Sequence, residues 1–197
     1  NINKNLEIVK KKIGCKKKNL ILLNQIHSNK IIKINKINKK KFNGDGVFTS
    51  KPGIALGILT ADCAPILMYD KKLNTIGAAH SGWKGAYKSI SLKLVKMFIN
   101  NGSRKQDLVT AIGPCISKFS YEVKNDFLKK FLNKNKKNSL FFTKKNKKLY
   151  FDLSKYIKNQ LIDFGVKNVE IIGKDTYKKR NNYFSSRYSY KNFFNDY

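Results

Sequence analysis

The stretch from residue 53 to residue 79, GIALGILTADCAPILMYDKKLNTIGAA, leaves the chain few ways to fold. Its three apolar runs, 53–61, 65–69 and 75–79, are short and bounded by turn-forming residues, Asp70 to Asn74 above all. Continuous apolar runs of this length suit strands buried on both faces. A chain with such strands in close succession must build a sheet and then cover it. Segments with helical spacing supply the cover. Ala86, Ile90, Leu94, Met97 and Phe98 recur at that spacing between Ala86 and Asn101, and Gly102 ends the run. Ser120 to Leu132 reads as a second helix, with Glu122 in the first turn where a carboxylate suits the dipole. Asp152 is placed to cap a third helix, Leu153 to Phe164, closed by Gly165.

The other segments fit the same scheme. VKKKIGCKKKN (9–19) reads as a helix tail closed near Gly14. LILLNQIH (20–27) reads as a strand placing Leu23, Gln25 and His27 on one face, and KIIKINKI (30–37) alternates as a second strand. FNGDGVFT (42–49) reads as a turn, because Asn-Gly and Asp-Gly tolerate positive φ. DLVTAIG (107–113) and VEII (169–172) are further strands, and 136–152 resembles a Lys-rich hairpin. The closing RYSYKNFFNDY fits no one element. The expected class is α/β with mixed α+β layers: residues 1–197 form a single layered domain of mixed β-sheets and flanking helices.

Composition removes several alternatives. With 41% hydrophobic residues, 13 Phe and 10 Tyr, the chain can bury a core, which excludes a disordered protein despite a net charge of +30. That charge invites a nucleic-acid reading. Only Arg104, Arg180 and Arg187 of the 42 basic residues are Arg, however, and base readout favours the Arg fork. Lys, Asn and Ile are abundant together and share A/T-only codons. Compositional drift therefore explains most of the charge, and runs such as Lys39–Lys41 read as solvated faces. The expected partners are small molecules, with no specific nucleic acid and no membrane, and the expected state is a monomer or small homo-oligomer. No apolar run approaches the ~20 residues of a spanning helix. No signal peptide is visible, although the chain opens at Asn1 without Met. Cys15, Cys63 and Cys115 are an odd, widely spaced set, which argues for a reducing compartment and a cytoplasmic location.

The two histidines, His27 and His80, each close a predicted strand, and Cys63 follows a third strand end. Two imidazoles and a thiolate make a three-ligand zinc set that leaves a fourth position open, the pattern of a catalytic centre. Their separations match no short metal motif. A Cys63–His80 nucleophile pair, acting as a hydrolase, and a purely structural role for all three remain alternatives at this point.

LLNQIHS, DGVFTSKPGIALGILTADCAPILMYD, TIGAAHSGWKGA and AIGPCISKFSYEV resemble the signature segments of the laccase-domain (polyphenol oxidase) family, bacterial proteins associated with purine nucleoside phosphorylase activity. The resemblance implies zinc bound by His27, Cys63 and His80. It implies phosphorolysis of adenosine, inosine and methylthioadenosine, with adenosine deamination as a further activity. Copper-dependent phenol oxidation is also ascribed to the family, but multicopper chemistry needs far more than two histidines. Within this frame Asp62 is the carboxylate nearest Cys63 in sequence, although strand alternation points it to the opposite face. Gln25 could contact ligand or orient His27. Gly82, Lys84 and Gly85, at a helix start, form a candidate phosphate cradle, with Arg187 as a further anion binder. Trp83 reads mainly as packing, Tyr121 equally as core aromatic or purine platform, and Cys115 as a small buried residue. The chain departs from the family pattern at Lys84, Asp175 and Tyr188, where relatives carry Arg, Cys and Arg. Counterparts of the family's opening and closing strands are not visible either. A diverged, inactive member is therefore an alternative, as is a basic nucleic-acid-binding protein.

Overall fold

A six-stranded sheet organises the protein. The computed structural model describes residues 2–15, 19–37, 41–178 and 181–193. Thus Lys39, Lys40, Arg180 and the last four residues of the closing stretch lie outside the described residues, while Lys41 is exposed. In chain order the elements are α1 (Ile2–Lys12), β1 (Leu20–Leu22), β2 (Ile31–Lys33), β3 (Gly46–Thr49), β4 (Ala55–Gly57), β5 (Ala64–Asp70) and β6 (Thr75–Ser81). They continue with α2 (Trp83–Tyr87), α3 (Ile90–Ile99), β7 (Leu108–Ile112), β8 (Glu122–Val123), α4 (Asn125–Lys134), β9 (Phe142–Lys145) and β10 (Lys148–Phe151). α5 (Leu153–Asp163), β11 (Asn168–Ile171) and α6 (Ser186–Phe193) complete the fold.

The main sheet runs in the order β11-β7-β5-β6-β3-β2. Its centre is antiparallel, and β11/β7 and β2/β3 are parallel at the two edges. β1 and β4 form a parallel pair, and β8-β10-β9 an antiparallel three-stranded sheet. The result is the mixed α/β class that the sequence suggests. Among the described residues no helix is long and apolar enough to cross a membrane.

Helices α3 and α5 lie on one face of the main sheet. Phe48, Ile66, Ile90, Leu94, Phe98, Ile112, Ile157 and Leu161 are fully buried between these layers. α3 comes so close to β6 at Gly77 that a Cβ there would stand 2.8 Å from Leu94 Cδ1 and Phe98 Cε2. Phe127, Phe131, Phe142, Phe151 and Tyr156 extend this core as an aromatic cluster, its neighbouring ring centroids 4.8–6.1 Å apart. On the opposite face β1 and β4 cover part of the sheet with Ile21, Leu23, Ile54 and Leu56.

Several expectations are corrected. β5 is not buried on both faces: Ile66 and Met68 are inside, but Leu67 is 52% and Tyr69 37% exposed. An antiparallel sheet can leave one face to solvent, and β1/β4 reach only part of this one. The segment 42–49 is not merely a turn, because Gly46–Thr49 is an interior strand whose Val47 and Phe48 are fully buried. The helix expected over 86–101 is two helices, broken at Lys88–Ser89, with Ser89 at φ 57°. Glu122 lies in β8, and the following helix starts only at Asn125. The hairpin is confined to 142–151, preceded by a 3-10 turn over Lys136–Phe141. Asp152 caps α5 as expected, accepting from Lys155 N at 3.0 Å. The closing segment contributes α6.

Candidate metal centre and active site

Strand register assembles the site. Cys63 immediately precedes β5 rather than following a strand, and His80 is the penultimate residue of β6. In their antiparallel pairing Ala64 faces Ser81 and Pro65 faces His80, so the Cys63 end of one strand meets the His80 end of the other. On the other side of β6, Gly46 pairs with Ala79, which brings Asp45 beside His80. His27 is not on a strand. β1 ends at Leu22, and His27 arrives from the loop before β2 with φ 56°. Asp62, next to Cys63, has φ 83°. Left-handed backbone is costly for non-glycine residues and tends to gather where function requires it.

Asp45 holds this arrangement together, and the sequence reading missed it. The residue is fully buried. Its carboxylate accepts from His27 N (3.0 Å), Ile26 N (3.3 Å), Ser28 N (2.6 Å) and Ser28 Oγ (2.6 Å). It also lies 2.8 Å from His80 Nδ1. One side chain thus fixes the strained loop carrying His27 and makes Nδ1 the protonated nitrogen of His80, leaving Nε2 free as a ligand. Burial alone would raise the Asp45 pKa, but these hydrogen bonds hold it below the usual carboxylate value. The available signal was the strand-like GVFT directly after Asp45, which the preceding Gly-Asp-Gly masked.

The donor atoms of His27, Cys63 and His80 lie within 4.8 Å of one another. The two imidazoles meet edge to face at 4.8 Å between centroids. A tetrahedral zinc with Zn–N ~2.0–2.1 Å and Zn–S ~2.3 Å wants its ligands about 3.5 Å apart, so a small contraction closes the set. Gly82 is shaped for it: a Cβ there would stand 2.7 Å from Cys63 Sγ and 3.6 Å from His27 Cδ2. Burial lowers the His80 pKa against the opposing pull of Asp45, which favours the neutral, ligating imidazole. Burial, with the charges of Asp62 and Asp45, pushes the Cys63 thiol up to about 11. Such a thiol is a poor nucleophile at neutral pH, whereas a bound cation would favour its thiolate. The donor chemistry fits a borderline-soft divalent metal.

The cluster opens into a cavity of about 720 Å³. Gly82, Trp83, Lys84, Tyr121 and Arg187 line it together with His27, Asp62 and Cys63. Trp83 packs on Phe127 at 5.3 Å, and Tyr121 lies 5.0 Å beneath the Arg187 guanidinium. Arg187 is partly committed, since its Nη1 donates to Glu122 O at 2.6 Å. The expected phosphate cradle is reduced: α2 is a single turn, so Gly82 to Gly85 do not head a long helix. A Cβ at Gly85 would lie 3.4 Å from His80 O, so this glycine serves packing behind the site. Gln25 is absent from the cavity wall, and its amide is spent on Leu59, donating to O at 2.8 Å and accepting from N at 2.9 Å. Asp62 faces the cavity, but its oxygens accept from Thr176 Oγ1 (2.8 Å) and Arg187 N (2.8 Å). That makes it a tether for the start of α6. Cys115 is buried, and its thiol is pushed up to about 12 by burial and neighbouring carboxylates. Asp175 accepts from Ser117 and Ser120 hydroxyls at 2.7 Å and so pins the loop after Cys115. Tyr188 packs on Tyr177 at 5.9 Å.

The sequence profile of the multi-copper polyphenol oxidoreductase laccase family matches residues 1–193. The chain belongs to this family. A purine nucleoside phosphorylase of Rickettsia conorii is 35% identical over 177 residues, covering 89% of this chain and 73% of the relative. One from Borreliella burgdorferi is 36% identical over 151 residues, covering 76% of this chain and 66% of the relative. Among solved structures, the hypothetical protein YfiH of Bacillus licheniformis superimposes with a TM-score of 0.84 at 26% identity, covering 91% of this chain and 73% of its own. A Neisseria meningitidis protein superimposes with a TM-score of 0.85 at 25% identity, covering 95% and 75%.

Proposed function

We propose that this protein is a cytoplasmic, zinc-dependent purine nucleoside phosphorylase acting on inosine, adenosine and methylthioadenosine. The observation that carries this reading is the convergence of His27, Cys63 and His80 at the base of a cavity walled by Trp83, Tyr121, Lys84 and Arg187. Relatives bearing the phosphorylase name at 35% identity supply the reaction class. His27, Cys63 and His80 would hold the zinc, which when bound supplies Lewis acidity and a positive charge at the cavity floor. Lys84 and Arg187 supply cations for the attacking phosphate, and Lys84 does so as a point charge without an Arg fork. Trp83 and Tyr121 offer faces for the purine and keep water from the reacting carbon. Asp62 acts by positioning Arg187 through its backbone rather than by moving a proton. The Asp45–His80 pair holds the Nδ1 proton in place.

Two histidines give too few ligands for a multicopper oxidase, and the raised Cys63 thiol speaks against a cysteine hydrolase. The second reading is hydrolytic deamination of adenosine, with water in place of phosphate, because the same aromatic walls would hold the purine. Incubating the zinc-loaded protein with adenosine, with and without phosphate, and separating the products by chromatography tests both. Adenine formed only with phosphate supports the phosphorylase. Inosine alone would favour deamination, and no product under either condition would overturn both.

A further inference from the structure

Arg187 and Lys191 border two cavities at once: the one that opens from the metal cluster and a second, also of about 720 Å³, beside α4 and β10. They stand four residues apart in α6, so helical geometry puts them on one face. Arg187 is fixed. Its backbone N–H donates to Asp62 Oδ2 at 2.8 Å, its Nη1 donates to Glu122 O at 2.6 Å, and its guanidinium lies 5.0 Å from the Tyr121 ring centroid. Of its five side-chain donors, these contacts use one. Lys191 is exposed and makes no ion pair among the described residues. Its ammonium rests 5.9 Å from the Tyr177 ring centroid, at the outer limit of a cation–π contact, and is free to turn toward an anion. Tyr188, next to Arg187 in sequence, is directed instead onto Tyr177.

The charge around this pair is one-sided. In the first cavity the carboxylate is Asp62, and its oxygens already accept from Thr176 Oγ1 and Arg187 N. Lys84 lines the same cavity. In the second, Lys124, Lys130 and Lys148 face Glu122 and Asp126, and Glu122 is paired with Lys148 at 3.1 Å. Arg187 and Lys191 are the two cations common to both walls. Clefts of one sign concentrate ligands of the other and speed their arrival. A neutral nucleoside gains nothing from such a field. A phosphate dianion does, and leaving water it needs cations and hydrogen-bond donors to replace its hydration. The remaining guanidinium donors of Arg187 suit phosphate oxygens in a fixed orientation, and Lys191 supplies a mobile point charge beside them.

We infer that Lys191 joins Arg187 in receiving the inorganic phosphate co-substrate, and that this residue sets affinity for phosphate without contributing to affinity for the nucleoside. The inference rests on the phosphorylase reading for the reaction, but phosphate binding can be measured without turnover.

The test determines KM for phosphate and for adenosine separately, as base released by the zinc-loaded protein. Lys191→Gln should raise the phosphate KM roughly 10-fold, the scale of one charge-assisted hydrogen bond, and leave the adenosine KM within about 2-fold. The side chain is exposed, so folding is not at stake. Lys191→Arg returns the charge and should restore most of the loss. Lys71→Gln removes an equal charge from the exposed turn after Asp70, at the end of β5 away from Cys63, and should move neither constant. In parallel, phosphorus NMR follows the line broadening of inorganic phosphate by the zinc-loaded protein with no nucleoside present. That broadening should be largely lost in Lys191→Gln. An unchanged phosphate KM in Lys191→Gln would overturn the inference, as would an equal rise in the adenosine KM, an equal effect of Lys71→Gln, or no recovery in Lys191→Arg. Base release with phosphate binding unaltered in Lys191→Gln sinks this inference and leaves the phosphorylase standing. Broadening lost in Lys191→Gln, with no base released by the unmodified protein, keeps the phosphate site and sinks the phosphorylase.

Discussion

Asp45 shows how much of a candidate metal site can reside in a residue outside the set of donor side chains. It is fully buried and receives five hydrogen bonds, from three backbone N–H groups that shape the His27 loop, from the Ser28 hydroxyl and from His80 itself. Asp45→Asn keeps the size but offers an amide where two donors now point. We expect zinc affinity, measured by competition with a chromophoric chelator, to fall ~10–100-fold. The same change should lower stability by about 1–3 kcal/mol, because buried donors lose their acceptor. Unchanged affinity would show that His80 orients without it. Gly82 makes a complementary point, since a methyl group there would stand 2.7 Å from Cys63 Sγ and 3.6 Å from His27 Cδ2, against two of the candidate ligands. Gly82→Ala should therefore weaken metal binding while barely moving the melting temperature, the clash being local to the centre. In the cobalt-substituted protein the thiolate charge-transfer band should shift or fade, and an unaltered spectrum would argue against Cys63 as a ligand.

At the scale of elements, the legible parts were those whose pattern and packing agree. β5 and β6 were readable because their apolar runs flank a turn, and their register alone brings Cys63 toward His80. β3 was not, because the glycines around Asp45 signal a turn while the sheet recruits the following GVFT as an interior strand. The break between α2 and α3 was hidden for a different reason. Ala86 and Ile90 keep helical spacing across it and are both fully buried, so the apolar pattern carries no trace of Ser89 turning left-handed. His27 was expected on a strand and sits in a loop instead, since a side-chain acceptor from a distant segment shapes that loop. α6 depends on the same kind of remote contact. Asp62 accepts from Arg187 N in its first turn and from Thr176 Oγ1. Asp62→Gly removes both bonds without straining the φ of 83°, which glycine adopts freely. Amide hydrogen exchange should accelerate across α6 and leave α3 protected. Equal protection of α6 in both proteins would rule out Asp62 as its tether.

For the whole molecule the decisive quantity is a charge of +30 on 197 residues. Among the described residues, Lys and Arg side chains meet carboxylates in ion pairs at Glu7, Asp107 and Glu122, so most of the described lysines have no carboxylate to offset their charge. Acid adds to the repulsion and removes anchors. Asp175 has its pKa held below the usual value by Ser117, Ser120 and Tyr177, which outweigh the cost of burial, and Asp45 is held down likewise. A depressed carboxylate stabilises the fold above its unfolded value of 3.8. That contribution is lost as pH falls below 3.8 through the lower folded value, because the unfolded chain takes up the proton first. The melting temperature should therefore drop steeply below about pH 4. Salt should oppose the repulsion, since the Debye length shrinks from ~30 Å at 0.01 M to ~10 Å at 0.1 M and the exposed lysines cease to sense one another. Between those concentrations at neutral pH we expect calorimetry to show a rise of about 2–4 °C, equivalent to roughly 1 kcal/mol for a chain this size. Over the same range, binding to duplex DNA should weaken steeply and show no sequence preference, as expected for lysines that neutralise phosphate without reading bases. A melting temperature indifferent to salt would mean that the lysine charges are already balanced by contacts in the fold. Sequence-dependent DNA binding that survives physiological salt would make the charge a recognition surface rather than a burden the fold carries.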